Sequence, residues 1–385
     1  MHYFQQRHLR DGSQFPALAG LLTIELPNKG LLSGLQLSVW GACGNSAADP
    51  DVWLHDRIKK IEVIVNGSQV VKSYDARQCL AMMLYKRTPH NTNDSRNNNA
   101  AACEEEFYIN FGRWYHDLEY MIDLGQVNDP ELRIEFDFAM TTAGGWSNGV
   151  AMTVAPSYDI VCHLLRDTSL IPKGYIKTSE IHRVDNAANL GYNMTVPRGP
   201  TYSNLYLQSW YASMGLGAIL SKIEVNLNSD DLIPYDMSPG NMAQQVLRMY
   251  GEFCMKQNVT LTGGQAYPFP LEEGRIHYGD TGLVASVMQI MDLWGNFAAP
   301  GFKDIAAGLT PFVGQVNVGM DIRGTRPFSV SPIPLLEPWD PDTWIDTSIL
   351  GDFWVRIEEN AGGTAGVMKL LGDEVVTKYT TPSWP

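Results

Sequence analysis

Two short acidic motifs are the stretches of this 385-residue sequence best suited to hold a ligand. Asp49-Pro50-Asp51-Val52-Trp53 and Asp340-Pro341-Asp342-Thr343-Trp344 share a D-P-D-x-W pattern, and Asp346 follows the second. Loop carboxylates of this kind suit calcium, which takes about six to eight oxygen ligands. Neither stretch supplies that many, so Asp340, Asp342 and Asp346 stand as calcium candidates only. The reading favoured at both places is an aspartate-capped turn with a tryptophan anchoring its loop. Eight histidines (His2, His8, His55, His90, His116, His163, His182, His277) never fall at H-x-H or H-x-x-x-H spacing, so the clustered ligands of a metal-dependent two-domain cupin are missing. Phosphate-loop and G-x-S-x-G nucleophile motifs are absent as well. The expectation is a protein with no catalytic residues, no cofactor and no transition-metal site. Cys43, Cys79, Cys103, Cys162 and Cys254 form no C-x-x-C pair and read as buried free thiols in a reducing compartment.

Composition narrows the partners. With 28 basic and 42 acidic side chains the net charge is −14, and no Lys/Arg run breaks the acidic balance. A sequence-specific nucleic-acid binder would normally carry a basic stripe. Hydrophobic residues make up 44%, enough for real cores, whereas charged residues reach only 18% against a usual ~25%. Much of the surface is therefore neutral, or covered by partners. Residues 1–20 lack the apolar core of a secretory signal, and no stretch reaches the ~18 apolar residues of a membrane-spanning helix.

The elements that would position any site are written twice. Pro27, Leu35, Leu37 and Trp40 recur as Pro197, Leu205, Leu207 and Trp210, all at an offset of 170. Lys60-Ile61-Glu62-Val63 recurs as Lys222-Ile223-Glu224-Val225, and Asn66 as Asn228, at an offset of 162. Tyr74-Asp75 is matched to Tyr235-Asp236. The repeat anchors are therefore Pro27, Trp40, Ile61 and Val63 with Pro197, Trp210, Ile223 and Val225. Trp40 and Trp210, at equivalent positions, are expected in the core rather than as an exposed sugar-stacking platform. Around these anchors, residues 35–40 and 205–210 alternate in period two, as do 131–138 and 315–322. A helix follows the K-I-E-V strand in each copy, capped by Asp75 near 75–87 and by Ser238, with Pro239, near 240–255.

Many short strands with Gly/Pro turns imply an all-β protein of two β-sandwiches or barrels in tandem, with short inserted helices. The division expected is an N-terminal arm (1–19), a first β-unit (20–168), a linker (169–180), a second β-unit (181–365) and a C-terminal tail (366–385). Arg7, His8 and Arg10 form the arm's basic cluster.

With the duplicated K-I-E-V strand and its helix goes a second segment, Phe107-Tyr108-Ile109-Asn110-Phe111-Gly112-Arg113 followed by Asp117 and Tyr120. Together they resemble the double jelly-roll major capsid proteins of tailless icosahedral viruses with an internal membrane, the lineage that includes the adenovirus hexon. That resemblance implies an all-β fold of two tandem eight-stranded antiparallel jelly rolls with short inserted helices, and a structural virion protein, not an enzyme. Its homotrimers would form pseudo-hexameric capsomers that tile a shell, in contact with minor capsid and vertex proteins, after assembly in the host cytoplasm. It also implies an inward N-terminal arm able to touch the internal viral membrane. Two other readings of tandem sandwiches are a glycan-binding or glycan-cleaving protein and a minor capsid or spike protein.

Overall fold

The computed structural model describes residues 3–42, 52–88, 94–95, 102–142, 151–166, 170–185, 191–210, 216–262, 272–278, 289–290, 315–335, 337–360 and 366–377. In the first half lie β1 (Tyr3–Gln14), β2 (Ala19–Glu25), β3 (Leu31–Ala42), β4 (Ile58–Val65), β5 (Gln69–Tyr74), β6 (Ala102–Asn110), β7 (Glu131–Asp137) and β8 (Ser157–Arg166). They make two sheets, ordered β1-β8-β3-β6 and β2-β7-β4-β5. The second half begins with β9 (Tyr175–Asp185), β10 (Gly191–Thr195), β11 (Thr201–Trp210), β12 (Leu220–Leu227) and β13 (Leu232–Met237). An inserted sheet of β14 (Phe253–Thr262), β15 (Glu272–Tyr278) and β16 (Gln315–Thr325) follows, then β17 (Val330–Pro332), β18 (Phe353–Glu359) and β19 (Val367–Val376). Without the insert, the second half runs β9-β19-β11-β17 and β10-β18-β12-β13, the same order strand for strand. The chain is two jelly rolls in tandem.

Side-chain alternation builds each sandwich. In β7, Leu132, Ile134 and Phe136 are buried while Arg133 and Glu135 point away, so one face of the sheet is dry. Phe15 bridges the two sheets of the first unit, its ring 4.7 Å from both Phe136 and Tyr158. Two short helices, α1 (Leu54–Arg57) and α3 (Leu216–Ile219), precede β4 and β12, and two longer ones, α2 (Ala76–Tyr85) and α4 (Pro239–Tyr250), follow β5 and β13. Asp75 caps α2 by accepting from the Gln78 backbone N–H at 2.8 Å, while the Gln78 side chain accepts from the Asp75 N–H at 2.9 Å. Such a reciprocal cap is worth about 1 kcal/mol. Ser238 caps α4, with Pro239 in its first turn.

The registers show how deep the duplication runs. Trp40 lies opposite Ser157, the first residue of β8, and Trp210 opposite Val367, the first residue of β19. Ser33 is the extra residue of a bulge in β3, and Ser203, 170 positions on, is the extra residue of the same bulge in β11. Glu62 faces Arg133 across β4 and β7, and Glu224 faces Arg356 across β12 and β18. Asn66 and Asn228 both adopt left-handed backbone, with φ of 53° and 54°. Each side-chain oxygen accepts a backbone N–H from the loop before the next paired strand: Asn128 at 2.8 Å and Gly351 at 2.7 Å. Asparagine tolerates this conformation better than most residues, which accounts for its recurrence.

Several expectations need correction. Residues 3–14 are no arm: β1 pairs along its length with β8 and completes the first jelly roll. Residues 367–376 are no tail, because β19 lies between β9 and β11 in the middle of a sheet. The linker 169–180 already contains the start of β9. In all three cases edge-rich or polar strands lack the clean alternation by which strands are read. Tyr74-Asp75 does not match Tyr235-Asp236. Tyr74 faces Ile61 whereas Met237 faces Ile223, so the counterpart of Tyr74 is Met237, two residues further on. Cys79, Cys103 and Cys162 are buried free thiols as expected, but Cys254 is exposed. Cys43 and most of the Asn-rich 90–102 segment lie outside the described residues.

Candidate functional site: the seam between the jelly rolls

The two units are joined by hydrogen-bonded backbone rather than merely tethered. β5 of the first unit and β9 of the second run parallel, with Lys72 opposite Thr178 and Ser73 opposite Ser179. One sheet therefore continues through both units in the order β2-β7-β4-β5-β9-β19-β11-β17. Helix α2 lies over this junction. All ten of its residues are buried, as a helix enclosed on every side must be. From it the Gln78 side-chain amide donates to Gln208 at 2.6 Å and the Tyr85 hydroxyl to the Val330 carbonyl at 2.7 Å, both across the seam.

At the centre of the seam is a buried ionic cluster drawn from four strands and the end of α2. Lys72 donates to Thr178 at 2.8 Å, and the Thr178 hydroxyl donates to Asp373 on β19. Lys86 lies 3.0 Å from the same carboxylate, and the Tyr206 hydroxyl donates to it at 3.2 Å. Burial, then the neighbouring charge of Lys86, pushes the Lys72 ammonium well below the ordinary lysine value. Burial alone would raise the Asp373 carboxyl, but Lys86, Lys72 and the Thr178 hydroxyl outweigh it and hold it below the usual carboxylate value. One carboxylate thus faces two amines, Lys86 directly and Lys72 through the Thr178 hydroxyl. At the rim, Lys369 pairs with Asp75 at 2.8 Å.

A second contact brings together motifs far apart in sequence. Arg113 forks onto Asp117, with Nε–Oδ2 at 2.8 Å and Nη2–Oδ1 at 3.0 Å, and reaches Glu119 at 2.6 Å. Its guanidinium stacks on Trp114 and Tyr120, 4.1 and 4.8 Å from their ring centroids, and donates to the Trp339 carbonyl of the second unit. Trp344 packs edge-on against Tyr120, and Arg87 lies 4.2 Å from the Trp339 ring centroid. The glycine of the F-G-R step has a steric reason: a Cβ on Gly112 would sit 2.6 Å from the Asp117 Cβ. The F-G-R segment and the proline-rich 337–344 loop are two halves of one inter-unit clamp.

The sequence-derived positions fall as follows. Ile61, Val63, Ile223 and Val225 are fully buried. Trp40 is only half-buried, which corrects the core assignment, because it stands at the end of β3 where the sandwich opens. The side chain of Trp210 lies outside the described residues. Pro27 is half-buried and Pro197 exposed, each just beyond the end of its strand. Asp340 accepts from the Asp342 N–H at 3.0 Å and Asp346 from the Ser348 N–H at 2.9 Å, so both cap 3-10 turns, and Asp342 stands in the first of them. Among the described residues no three His, Cys, Asp or Glu side chains come together as a metal site. Asp49 and Asp51 lie outside the described residues. Lys72, Lys86, Thr178 and Asp373 were not singled out by the sequence. The one signal available was a third repeat, Arg133-Ile134-Glu135 with Arg356-Ile357-Glu358, which aligns β7 with β18 and would have extended the duplication towards β19.

No family model and no curated protein matches the chain. Solved structures do match it over nearly its whole length. The major capsid protein of Sulfolobus turreted icosahedral virus aligns with a TM-score of 0.59 at 8% identity, covering 98% of each chain. PBCV-1 VP54, in a structure fitted into a reconstruction of the virophage Sputnik, gives 0.58 at 8%, covering 97% of this chain and 94% of that one. The major capsid protein P2 of bacteriophage PM2 gives 0.52 at 10%, again covering 98% of each. The fold is the double jelly roll of these viral major capsid proteins.

Proposed function

We propose that this protein is a structural virion component, a major capsid protein with no enzymatic role. Three copies form a pseudo-hexameric capsomer, and capsomers tile an icosahedral shell around an internal membrane, together with minor capsid and vertex proteins. One observation carries the reading: two jelly rolls of identical strand order are joined by a continuous sheet and a buried ionic cluster into one block. A block of two similar units suits a ring in which a threefold rotation closes heterologous contacts. The low charge content agrees, since interface cores are depleted in charged residues. The fold neighbours are themselves capsid proteins, which supports the same role. Arg7, His8 and Arg10 lie on β1, paired with β8, and so form no free arm reaching towards a membrane.

Sedimentation tests the assembly. A stable species of three 42.8 kDa chains is expected in moderate salt, with hexagonal outlines by electron microscopy. A clean monomer at micromolar concentration overturns the reading.

A further inference from the structure

The seam within one chain uses only one of each pair of matching edges. Left over among the described residues are β1, at the outer edge of the first unit, and β13, at the outer edge of the second. β1 is the counterpart of β9 at an offset of 172, and even shares its bulge, with Leu9 extra in one and Ile181 in the other. β13 is the counterpart of β5 at an offset of 163, which also carries the Asp75 cap to the Ser238 cap.

Positions covered in the seam are bare at the left-over edges. Tyr175, 1% exposed, accepts from the Gln69 amide at 3.1 Å; its counterpart Tyr3 is 58% exposed, and Leu232, the counterpart of Gln69, is 54% exposed. Val70 is half-buried, whereas its counterpart Ile233 is 46% exposed. Leu84 on α2 is 8% exposed, and its counterpart Leu247 on α4 is 37% exposed. Four of the nine large hydrophobics exposed among the described residues therefore lie on these two surfaces. An unpaired, apolar strand edge is a template for another strand.

We propose that β13 of one molecule adds to β1 of a second copy in the parallel register of the internal seam. The inference rests on the homo-oligomeric reading above and supplies its contact residues. Transposing Lys72–Thr178 and Ser73–Ser179 sets Tyr235 opposite Gln6 and Asp236 opposite Arg7. The second pair joins an acid to a base, both exposed in the single chain. Leu232 comes beside Tyr3, and the bare face of α4 covers the neighbour as α2 covers the seam. Pro234 lacks an N–H and keeps the ladder short, like the two-residue bridge inside the chain.

The two seams are chemically distinct. The counterpart of Asp373 is His163, at an offset of 210, and the counterpart of Lys72 is Tyr235. A β5 edge offered to a foreign β1 would bring Lys72 and Lys86 to a histidine and leave both amines without their carboxylate. Each edge accepts one partner and rejects the other.

Cysteines at the proposed contact test the register. Opposed residues on neighbouring strands lie about 5 Å apart, within the Cα range of a disulfide. Arg7→Cys with Asp236→Cys in one chain should give, on oxidation, covalent species of two and three chains on a denaturing gel, and neither single variant should. Trimers in sedimentation that oxidise without this ladder overturn the register and leave the shell reading standing; monomers overturn both. Charge reversal supplies a second arm. Arg7→Glu and Asp236→Arg should each raise the protein concentration needed for assembly about tenfold, and the double variant should return to within about threefold. Asp236 also lies 3.2 Å from Lys222, so circular dichroism checks that Asp236→Arg folds. A double variant as impaired as the two losses combined refutes the pairing.

Discussion

Replacing Asp373 by asparagine keeps the shape of the seam and removes the carboxylate that its two buried amines face. Lys86, 3.0 Å away, is left inside a buried site beside a neutral amide. Breaking a buried ion pair by removing one partner costs roughly 3–5 kcal/mol. At about 2–4 °C per kcal/mol for a cooperative unit of about 150–250 residues, the size of one jelly roll, the melting temperature should drop by roughly 6–20 °C. Lys72→Met should behave differently. Its amine is already held below the ordinary lysine value, and Thr178 still donates to Asp373 when it is gone. The methionine variant should melt within about 2 °C of the parent, since Lys86 still pairs with Asp373 and methionine fills a similar volume. The pH profiles separate the roles. The folded Asp373 value lies below its unfolded one, so its stabilisation is present above the unfolded value and is lost as pH falls through the folded value. Lys72, with a lowered folded value, binds its proton more readily when unfolded, so stability rises with pH between its folded and unfolded values. Asp373→Asn should flatten the acid limb and Lys72→Met the alkaline one. Calorimetric melts from acid to alkaline pH make the comparison. An Asp373→Asn protein melting within about 2 °C of the parent, or a Lys72→Met protein falling equally far, would refute the reasoning.

Other outcomes follow from the same geometry. Ile61→Ala and Ile223→Ala remove fully buried side chains at counterpart positions, so each should cost about 2–5 kcal/mol, with melts differing little between them. Trp40→Ala, at a half-buried site, should cost less than the ~3–5 kcal/mol of a buried tryptophan. Burial, then His116, pushes the His163 imidazole down to about 4. Its unfolded value lies near 6.5, so stability should decline as pH drops from about 6.5 to about 4, and His163→Gln should level that slope in acid melts. Gly174 has a φ of 152°, and a Cβ there would sit 2.0 Å from the Val376 carbonyl oxygen. Gly174→Ala should therefore force β9 away from β19 and lower the melt sharply, whereas Gly240→Ala, on helical backbone with open space around it, should be mild.

Much of this was legible where one face of a strand is wet. Leu132, Ile134 and Phe136 declare β7 because solvent takes the residues between them. The duplicated Ile-Glu-Val strand was legible for the same reason, and Asn66 with Asn228 because few other residues tolerate their backbone. The seam was hidden by its own dryness. Thr178 and Asp373 are polar residues covered by a neighbouring unit, and period-two reasoning assigns such residues to solvent. Lys72 fails the same way, since a lysine in a strand ordinarily marks the wet face. β1 was concealed by its exposure: eight of its twelve residues are solvent-facing, the pattern of a flexible arm unless an edge is expected. The ten buried residues of α2 include Arg77 and Gln78, so its stripe looked narrow although every side is covered.

The order in which a ribosome makes the ionic cluster has a consequence for timing. Lys72 and Lys86 emerge early, whereas Asp373 follows Lys86 by 287 residues. At about 5–20 residues per second, that interval is roughly 15–60 s. During it the first jelly roll can fold, yet its seam face carries two lysines with no acid to receive them, and burying them alone is unfavourable. A nascent chain is thereby kept from sealing that face against another nascent chain on the same message. The face closes on its carboxylate only when β19 arrives, so that edge is completed by the chain's own last strand and not by a neighbour.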